Sequence, residues 1–197
     1  MYRKKNTLTF HQKKKIITPN LIKEIFSWIS VTLIAVAIAF GFVFAFGMQI
    51  KVIGDSMEPS QYNGQTVLIN RLVYMIFSPQ KGDVVVFLPN GNANSHYYVK
   101  RVVATPGDKV QIINGSLYIN GVIASDDDEK YDKMEDAGIA NNEIKLESGE
   151  YFVLGDNRNS SEDSRSANIG VVRTNMLIGK VWFKLKYEDA KGGFVLN

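Results

Sequence analysis

The sequence predicts a mostly β protein that begins with a single membrane-spanning helix, and three observations lead to this fold class. A stretch without any charged residue occupies positions 25–50. Short runs rich in valine and aromatic residues, bounded by Gly, Pro and Asn, recur through the rest of the chain. No helical pattern alternates with these runs, which disfavours a parallel α/β sheet. We therefore expect one antiparallel β domain after the apolar stretch.

The apolar stretch 25–50 is long enough to be a transmembrane anchor, because a helix rises about 1.5 Å per residue and a hydrocarbon core is about 30 Å thick. Trp28 lies where an interfacial aromatic residue is expected. A cleaved signal peptide is the alternative, since Ala45 and Gly47 offer small residues at −3 and −1. The apolar core of a signal peptide is usually only about 7–15 residues long, so we favour the anchor.

Charge is distributed unevenly along the 197-residue chain, whose formal net charge is +3. Residues 1–23 carry seven Lys and Arg and no acid, which leaves 16 basic and 20 acidic residues in the rest. By the positive-inside rule, the basic tail 1–24 is expected in the cytoplasm and the domain 51–197 on the outer face of the plasma membrane. Nucleic acid is not an expected partner, because only the tail is basic. The acidic segment 125–142 is expected to be a solvated surface loop.

Seven strands are predicted in the domain from the β-branched and aromatic runs. Asn114-Gly115 is a strong hairpin signal between two of them. The predicted strands cover residues 65–70, 83–88, 97–104, 109–113, 117–119, 150–154 and 177–187.

The composition excludes several kinds of site. The chain has no cysteine, which rules out disulfides, zinc–thiolate sites and a Cys nucleophile. His11 and His96 are the only histidines, which argues against a His-based metal site. We expect neither a metal nor another cofactor.

Ser56 is a candidate nucleophile, because it follows the anchor closely in the turn segment GDSMEPS at 54–60. An exposed serine beside Gly or Pro is also common in ordinary turns. The segment is not a G-x-S-x-G nucleophile elbow, since position 58 is Glu. A serine nucleophile needs a base, and outside the tail the candidates are His96 and a neutral Lys100.

Lys100 lies in the predicted strand 97–104, on the same face as Tyr98 and Val102. Burial of that face would lower the pKa of the Lys100 ammonium and provide an amine base. An edge-strand lysine that discourages aggregation is the alternative. The polar segment 155–165 follows another predicted strand, and by itself it would be an ordinary loop with local Asx turns.

Four segments, in this order along the chain, together resemble the boxes of type I signal peptidases. The resemblance spans residues 25–183, and the single anchor and short length are similar to the Gram-positive form. The segments are Ser56-Met57-x-Pro59-Ser60, Gly82-Asp83-Val84-Val85-Val86-Phe87, Lys100-Arg101-Val102-Val103 running to Pro106-Gly107-Asp108, and Gly155-Asp156-Asn157 running to Ser161-x-Asp163-Ser164-Arg165.

The resemblance implies a Ser/Lys dyad in a largely antiparallel β catalytic domain. Ser56 would be the nucleophile, and Lys100 the general base that takes its proton. The Ser161 hydroxyl would orient Lys100. Met57 and Pro59 would shape the turn that presents the nucleophile.

The resemblance also implies supporting groups around the dyad. Asp163 with Arg165, and Asp156 with Arg101, match two structural ion pairs. In some relatives a serine hydroxyl at the position of Gly54 is the second oxyanion donor. Here a backbone N–H or water must replace that hydroxyl, or the oxyanion hole is weaker.

The expected function is that of a membrane-anchored serine endopeptidase that removes signal peptides. Its partners would be the lipid bilayer and exported preproteins with small residues at −3 and −1. A self-cleaving repressor-type Ser/Lys peptidase is one alternative, and it predicts a DNA-binding module upstream. A noncatalytic membrane-tethered β domain is another, in which Ser56 and Lys100 would be incidental.

Overall fold

The computed structural model describes residues 19–89, 96–124, 129–188 and 190–195, and these fall into two units. The first unit is helical and ends at Gly41, and the second, from Phe42 onward, is a β-rich body. Most of the predicted basic tail, His11 and the start of the acidic segment, 125–128, lie outside the described residues.

Helix α1 spans Pro19–Phe46 and is long and apolar enough to cross a membrane by length and composition. The bounds of this helix differ at both ends from the predicted apolar stretch 25–50. The helix begins at Pro19, since proline is favoured at the first helical position. It ends before Gly47, and the residues that follow pair with another strand instead of continuing the helix.

The body contains twelve strands, one short helix and two 3₁₀ turns among the described residues. The short helix α2 spans Val73–Ile76, and the 3₁₀ turns span Gly138–Asn141 and Thr174–Met176. The strands are β1 Met48–Lys51, β2 Thr66–Asn70, β3 Val84–Phe87, β4 Tyr98–Ala104, β5 Lys109–Ile113, β6 Ser116–Ile119, β7 Val122–Ile123, β8 Ile144–Lys145, β9 Glu150–Leu154, β10 Val172–Arg173, β11 Leu177–Lys184 and β12 Gly193–Phe194.

The strands form two sheets in which every described pairing is antiparallel. The larger sheet has the order β1-β2-β11-β3-β4-β9-β10, with β12 also paired to β11, and the smaller has the order β7-β6-β5-β8. The predicted mostly β, antiparallel class is confirmed. Sequence patterning missed the shortest strands because two residues cannot show an alternating pattern.

Two features of the larger sheet position the site. Strand β4 lies between β3 and β9, and its residues from Val99 to Ala104 are all buried. Strand β1 leads into the loop 52–65, and β9 leads into the loop 155–165. Because β9 pairs directly with β4, the second loop begins beside the middle of β4.

Candidate active site

Ser56 lies in the loop that joins β1 to β2. The ends of this loop are tied together by the Val52 N–H, which donates to the Gln65 carbonyl oxygen at 2.9 Å. Met57, the next residue after the serine, is fully buried in the core around β1, β2, β3 and β11. Pro59 follows at the surface. Met57 therefore fixes the turn from the core side and leaves the serine half-buried.

Lys100 lies in the middle of β4, which is hydrogen-bonded to β3 on one side and to β9 on the other. Lys100 is only 4% exposed, so the alternative of an edge-strand lysine is wrong. Its Nζ donates a hydrogen bond to Ser56 Oγ at 2.7 Å. The predicted nucleophile and base are therefore in direct contact, although 44 positions separate them in the sequence.

Burial lowers the pKa of Lys100 to about 8, because removal from water disfavours the ammonium form. The carboxylates of Asp163, Glu162 and Asp156 raise this pKa, but they do not cancel the effect of burial. A lysine with such a pKa carries a neutral amine in a useful fraction of molecules near neutral pH. That amine can accept the proton of a hydroxyl 2.7 Å away.

Asp163 is the centre of the hydrogen-bond network in the loop 155–165. Its side chain is fully buried, and Arg165 Nε donates to its Oδ1 at 2.8 Å. Its Oδ2 accepts from the Gly155 N–H at 3.0 Å and from Arg165 Nη2 at 2.9 Å. The structure thus brings together the predicted Asp163–Arg165 pair. Because a buried carboxylate must be paired, this network holds the loop in one conformation.

Ser161 donates its hydroxyl proton to Asp163 Oδ2 at 2.7 Å. Among the hydrogen bonds of the described residues, none joins Ser161 to Lys100. The hydroxyl oxygen retains lone pairs that could accept from an ammonium group. The orientation of Lys100 by Ser161 therefore stays a prediction, while the contact with Asp163 is what the structure shows.

Arg101 and Asp156 form the second predicted pair, and their contact is bidentate. Arg101 Nε and Nη2 donate to Asp156 Oδ1 and Oδ2 at 2.8 and 2.7 Å. Burial acts against the carboxylate, but the guanidinium keeps the pKa of Asp156 below its ordinary value. Since Arg101 follows Lys100 on β4, the pair links the strand that carries the base to the loop 155–165.

A cleft of about 240 Å³ opens beside the dyad. His96 is exposed and lines this cleft, but no hydrogen bond of the described residues joins it to Ser56. The geometry therefore favours Lys100 over His96 as the base. The residues around the cleft are Val52, Ile53, Gly54, Asp55, Ser56, His96, Tyr97, Tyr98, Val99, Lys100, Ser160 and Glu162.

Gly155 is a site residue to which sequence reasoning gave no role. A β-carbon at this position would collide with the Ser161 hydroxyl and with the Ser56 carbonyl oxygen. The Asn157 N–H donates to the same carbonyl at 3.1 Å. The only sequence signal was a glycine directly after a predicted strand, which is compatible with a close approach of two backbones.

The segment 125–142 was expected to be a solvated surface loop, and most of its described residues are exposed, but two of them are buried. Met134 and Ala140 are buried in the core formed with β5, β6 and β9. Asn159 donates to the Lys133 carbonyl oxygen and accepts from the Glu135 N–H, each at 3.0 Å. A segment that looked polar in sequence is therefore hydrogen-bonded to the loop 155–165 through Asn159, and it buries two of its few small or apolar residues in the core.

A second contact joins the same two segments. The guanidinium of Arg158 stacks over the ring of Tyr131, with Cζ 4.1 Å from the ring centroid. Arg158 is almost completely buried, and its Nε donates to the Gly155 carbonyl oxygen at 3.0 Å. Sequence analysis assigned no role to either residue, since their contact depends on chain segments that are far apart in the sequence.

Known proteins resemble this chain over most of its length. Residues 25–186 match the family model described as signal peptidase, peptidase S26. Signal peptidase IB of Staphylococcus aureus (strain COL) is 36% identical over 187 residues, which cover 87% of this chain and 95% of that protein. Signal peptidase I of Bacillus amyloliquefaciens is 32% identical over 160 residues, which cover 78% of this chain and 81% of that protein.

A solved structure is also similar. The crystal structure of a signal peptidase I from Enterococcus faecalis V583 matches with a TM-score of 0.39 and 31% sequence identity. The match covers 54% of this chain and 98% of that chain.

Proposed function

This chain belongs to the signal peptidase family, peptidase S26, and is therefore a serine peptidase of the type that cleaves signal peptides; we propose that Ser56 and Lys100 perform the cleavage. The observation that carries this assignment is the 2.7 Å hydrogen bond between Lys100 Nζ and Ser56 Oγ. Burial of Lys100 supports it, because a buried lysine is a stronger candidate for a neutral amine than an exposed one.

The reaction follows from this contact. The neutral amine of Lys100 takes the Ser56 proton as Oγ attacks the carbonyl carbon of the scissile peptide bond. The resulting ammonium returns the proton to the leaving amine, which gives an acyl-enzyme on Ser56 and releases one product. Lys100 then takes a proton from a water molecule as the water oxygen attacks the acyl carbon, and the ammonium returns that proton to Ser56 Oγ as the second product leaves.

The negative oxygen of the tetrahedral intermediates needs hydrogen-bond donors. Within the described residues the Ser56 N–H donates to no backbone acceptor, so it can serve. The Gly54 N–H is already used, because it donates to Asn63 Oδ1 at 3.1 Å. Gly54 has a φ of 82° and open space where a side chain would project. We therefore assign the first donor to Ser56 and leave the second position of the hole to water.

Helix α1 is long and apolar enough to anchor the protein in a membrane, and the chain is similar to proteins named signal peptidase. We propose a single-pass arrangement with the basic tail 1–24 in the cytoplasm and the body on the outer face. The support is the concentration of Lys and Arg before the helix. A substrate whose own apolar segment lies in the same bilayer meets the enzyme at a raised effective concentration.

The substrates are exported preproteins, and we propose that their residues at −3 and −1 are small. The support comes from the cleft beside Ser56, whose volume of about 240 Å³ is shared by the backbone of a bound peptide and its side chains. Larger substrate side chains at the positions that face the cleft would have to displace the residues that line it. Alternate residues of an extended peptide point to the same side, which suits a preference at two positions separated by one residue.

The test uses purified full-length protein in liposomes with a preprotein that carries an Ala-x-Ala site. Wild type should cleave at that site, and Lys100→Met should lose at least about 10³-fold in rate because the base is absent. Lys109→Met is the matched control, since Lys109 is an exposed lysine paired only with Glu143 and its loss should not affect the rate. EDTA should leave the wild-type rate unchanged.

Each other outcome has a definite meaning. Equal cleavage by wild type and Lys100→Met would make Lys100 structural and return His96 to consideration. An absence of cleavage by wild type, across several preproteins in the same liposomes, would favour the noncatalytic tethered domain. The folded state of each variant is checked by its circular dichroism spectrum and thermal unfolding.

A further inference from the structure

Glu162 is an exposed acid on the wall of the cleft that contains Ser56 and Lys100. Its Oε2 accepts a hydrogen bond from the Tyr98 hydroxyl at 3.3 Å, and its Oε1 accepts one from Asn168 Nδ2 at 3.5 Å. Each of the two carboxylate oxygens therefore accepts one hydrogen bond at the edge of the cleft. The proposed mechanism assigns it no task.

The environment of Glu162 differs from that of the two structural acids nearby. Asp156 is neutralised by Arg101, and Asp163 by Arg165, through direct ion pairs. Within the described residues, Glu162 forms no ion pair at salt-bridge distance. The charge nearest to it in the cleft is the Lys100 ammonium, whose pKa it raises, and it faces the space that a substrate enters.

The cleft is negatively charged in the state that reacts. Its charged or titratable lining groups, apart from tyrosine, are Asp55, Glu162, His96 and Lys100. Lys100 must be neutral to act as the base, and a neutral Lys100 leaves the two carboxylates without an opposing ammonium. A cation supplied by the substrate would then find favourable electrostatics in the cleft.

The contacts limit where such a cation would lie. Lys100 Nζ is 5.6 Å from the centroid of the Tyr98 ring, and the hydroxyl of that ring bonds Glu162. The carboxylate is therefore no more than about 12 Å from Nζ, and an extended peptide rises about 3.3 Å per residue. A lysine or arginine within about three residues of the scissile bond can reach it.

We propose that Glu162 is a specificity-determining residue that favours preproteins with a basic side chain within about three residues of the cleavage site. This inference rests on the proposed signal-peptide cleavage at Ser56. It adds a charge preference that the small residues at −3 and −1 do not supply.

The test is a competition between preproteins that differ in one residue. Variants of one Ala-x-Ala preprotein carry Lys, Gln or Glu at a single position, scanned through the three residues on each side of the scissile bond, with −3 and −1 left unchanged. Pairs of variants are mixed with full-length enzyme in liposomes of zwitterionic lipid, and the ratio of their kcat/KM values is measured. Because both substrates meet the same enzyme, any change in the pKa of Lys100 cancels in this ratio.

Wild type should cleave the Lys variant roughly tenfold faster than the Glu variant at one or more scanned positions, and salt should reduce the ratio. Glu162→Gln keeps the size of the side chain and should bring the ratio close to one. Glu162→Lys should reverse the preference. Glu147→Gln is the matched control, because Glu147 is an exposed acid outside the cleft, and it should keep the wild-type ratio.

The outcomes separate this inference from the function on which it rests. If wild type cleaves the Gln preprotein and Glu162→Gln retains the Lys-over-Glu ratio, the role of Glu162 is overturned and the peptidase assignment stands. A ratio near one for wild type at every scanned position overturns it as well. If wild type cleaves none of the preproteins, the proposed function fails first, and the inference fails with it.

Discussion

Titration of the Lys100 amine should control the rate of cleavage, so the pH profile is a direct test of the dyad. With a pKa of about 8 for Lys100, kcat/KM should rise about tenfold per pH unit below pH 8 and level off above it. At pH 7 roughly 9% of such amines are neutral, against about 0.03% for a lysine with an ordinary pKa. Burial therefore increases the reactive fraction at pH 7 by about 300-fold.

The assay uses full-length protein in detergent micelles and an internally quenched peptide with an Ala-x-Ala site, from about pH 5.5 to 9.5. His96→Ala is the matched control, because among the described residues that line the cleft His96 carries the imidazole, and this ring should not contribute to the profile. An inflection near 6.5 that disappears in His96→Ala would identify histidine as the base and refute the reasoning. A profile without any slope would refute it as well.

The same titration affects stability, and the sign follows from the direction of the shift. Burial lowers the pKa of Lys100 from 10.5 to about 8 in the folded protein, so the unfolded chain binds more protons between these values. The free energy of unfolding should therefore rise by about 3 kcal/mol as the pH increases through this window. Lys100→Met lacks this contribution, and other titrating groups cancel in the difference between the two proteins. If the curves of unfolding free energy against pH ran parallel for wild type and Lys100→Met, burial would not lower the pKa of Lys100, and the account would be refuted.

Three further predictions concern groups around the dyad. Gly155→Ala should reduce kcat by at least about 100-fold in the same peptide assay, because the added β-carbon would displace the loop that carries Ser56. Gly193→Ala is the control and should leave kcat unchanged, because the space beside Gly193 is open. Arg101→Met should lower the free energy of unfolding in urea by about 3–5 kcal/mol, because it leaves a buried carboxylate unpaired. Adding Asp156→Leu should recover part of that free energy. An equal loss in the single and double variants would contradict this account. The hydroxyl of a Gly54→Ser variant should add a donor to the oxyanion hole, so its kcat should be roughly tenfold above that of Gly54→Ala. Gly54→Ala is the matched control because both variants share the strain of a positive φ at this position. Equal rates would contradict a role for the added hydroxyl.

The sequence predicted the larger elements well, and its errors have physical causes. The predicted strands at 109–113 and 150–154 match β5 and β9, because each has an alternating or apolar run bounded by turn residues. The helix ends at Phe46, earlier than the uncharged run to Ile50, because Met48–Lys51 pairs with β2, and a run without charge does not reveal that pairing. The acidic segment was taken as solvated because its composition hides the few residues that dock, among them Met134.

The sequence predicted the site residues that lie in recognisable short segments, but it did not predict the contacts between segments that are distant in the chain. Ser56 and Lys100 were found as candidates from a turn and a strand, and the resemblance joined them. The destination of the Ser161 hydroxyl, on Asp163, was not visible in the sequence. Nor was the orientation of Glu162 toward the cleft, because neither propensity nor periodicity fixes the direction of a loop side chain.

Taken alone, the sequence determined the apolar helix, the antiparallel β class and the residue types available for chemistry. These depend on local properties: the length of an apolar run, the alternation of side chains and the absence of cysteine. Only the tertiary structure decided that Lys100 is buried and in contact with Ser56. The pairing of β4 with both β3 and β9 removes the lysine from water, and that desolvation lowers its pKa toward the working range of a base.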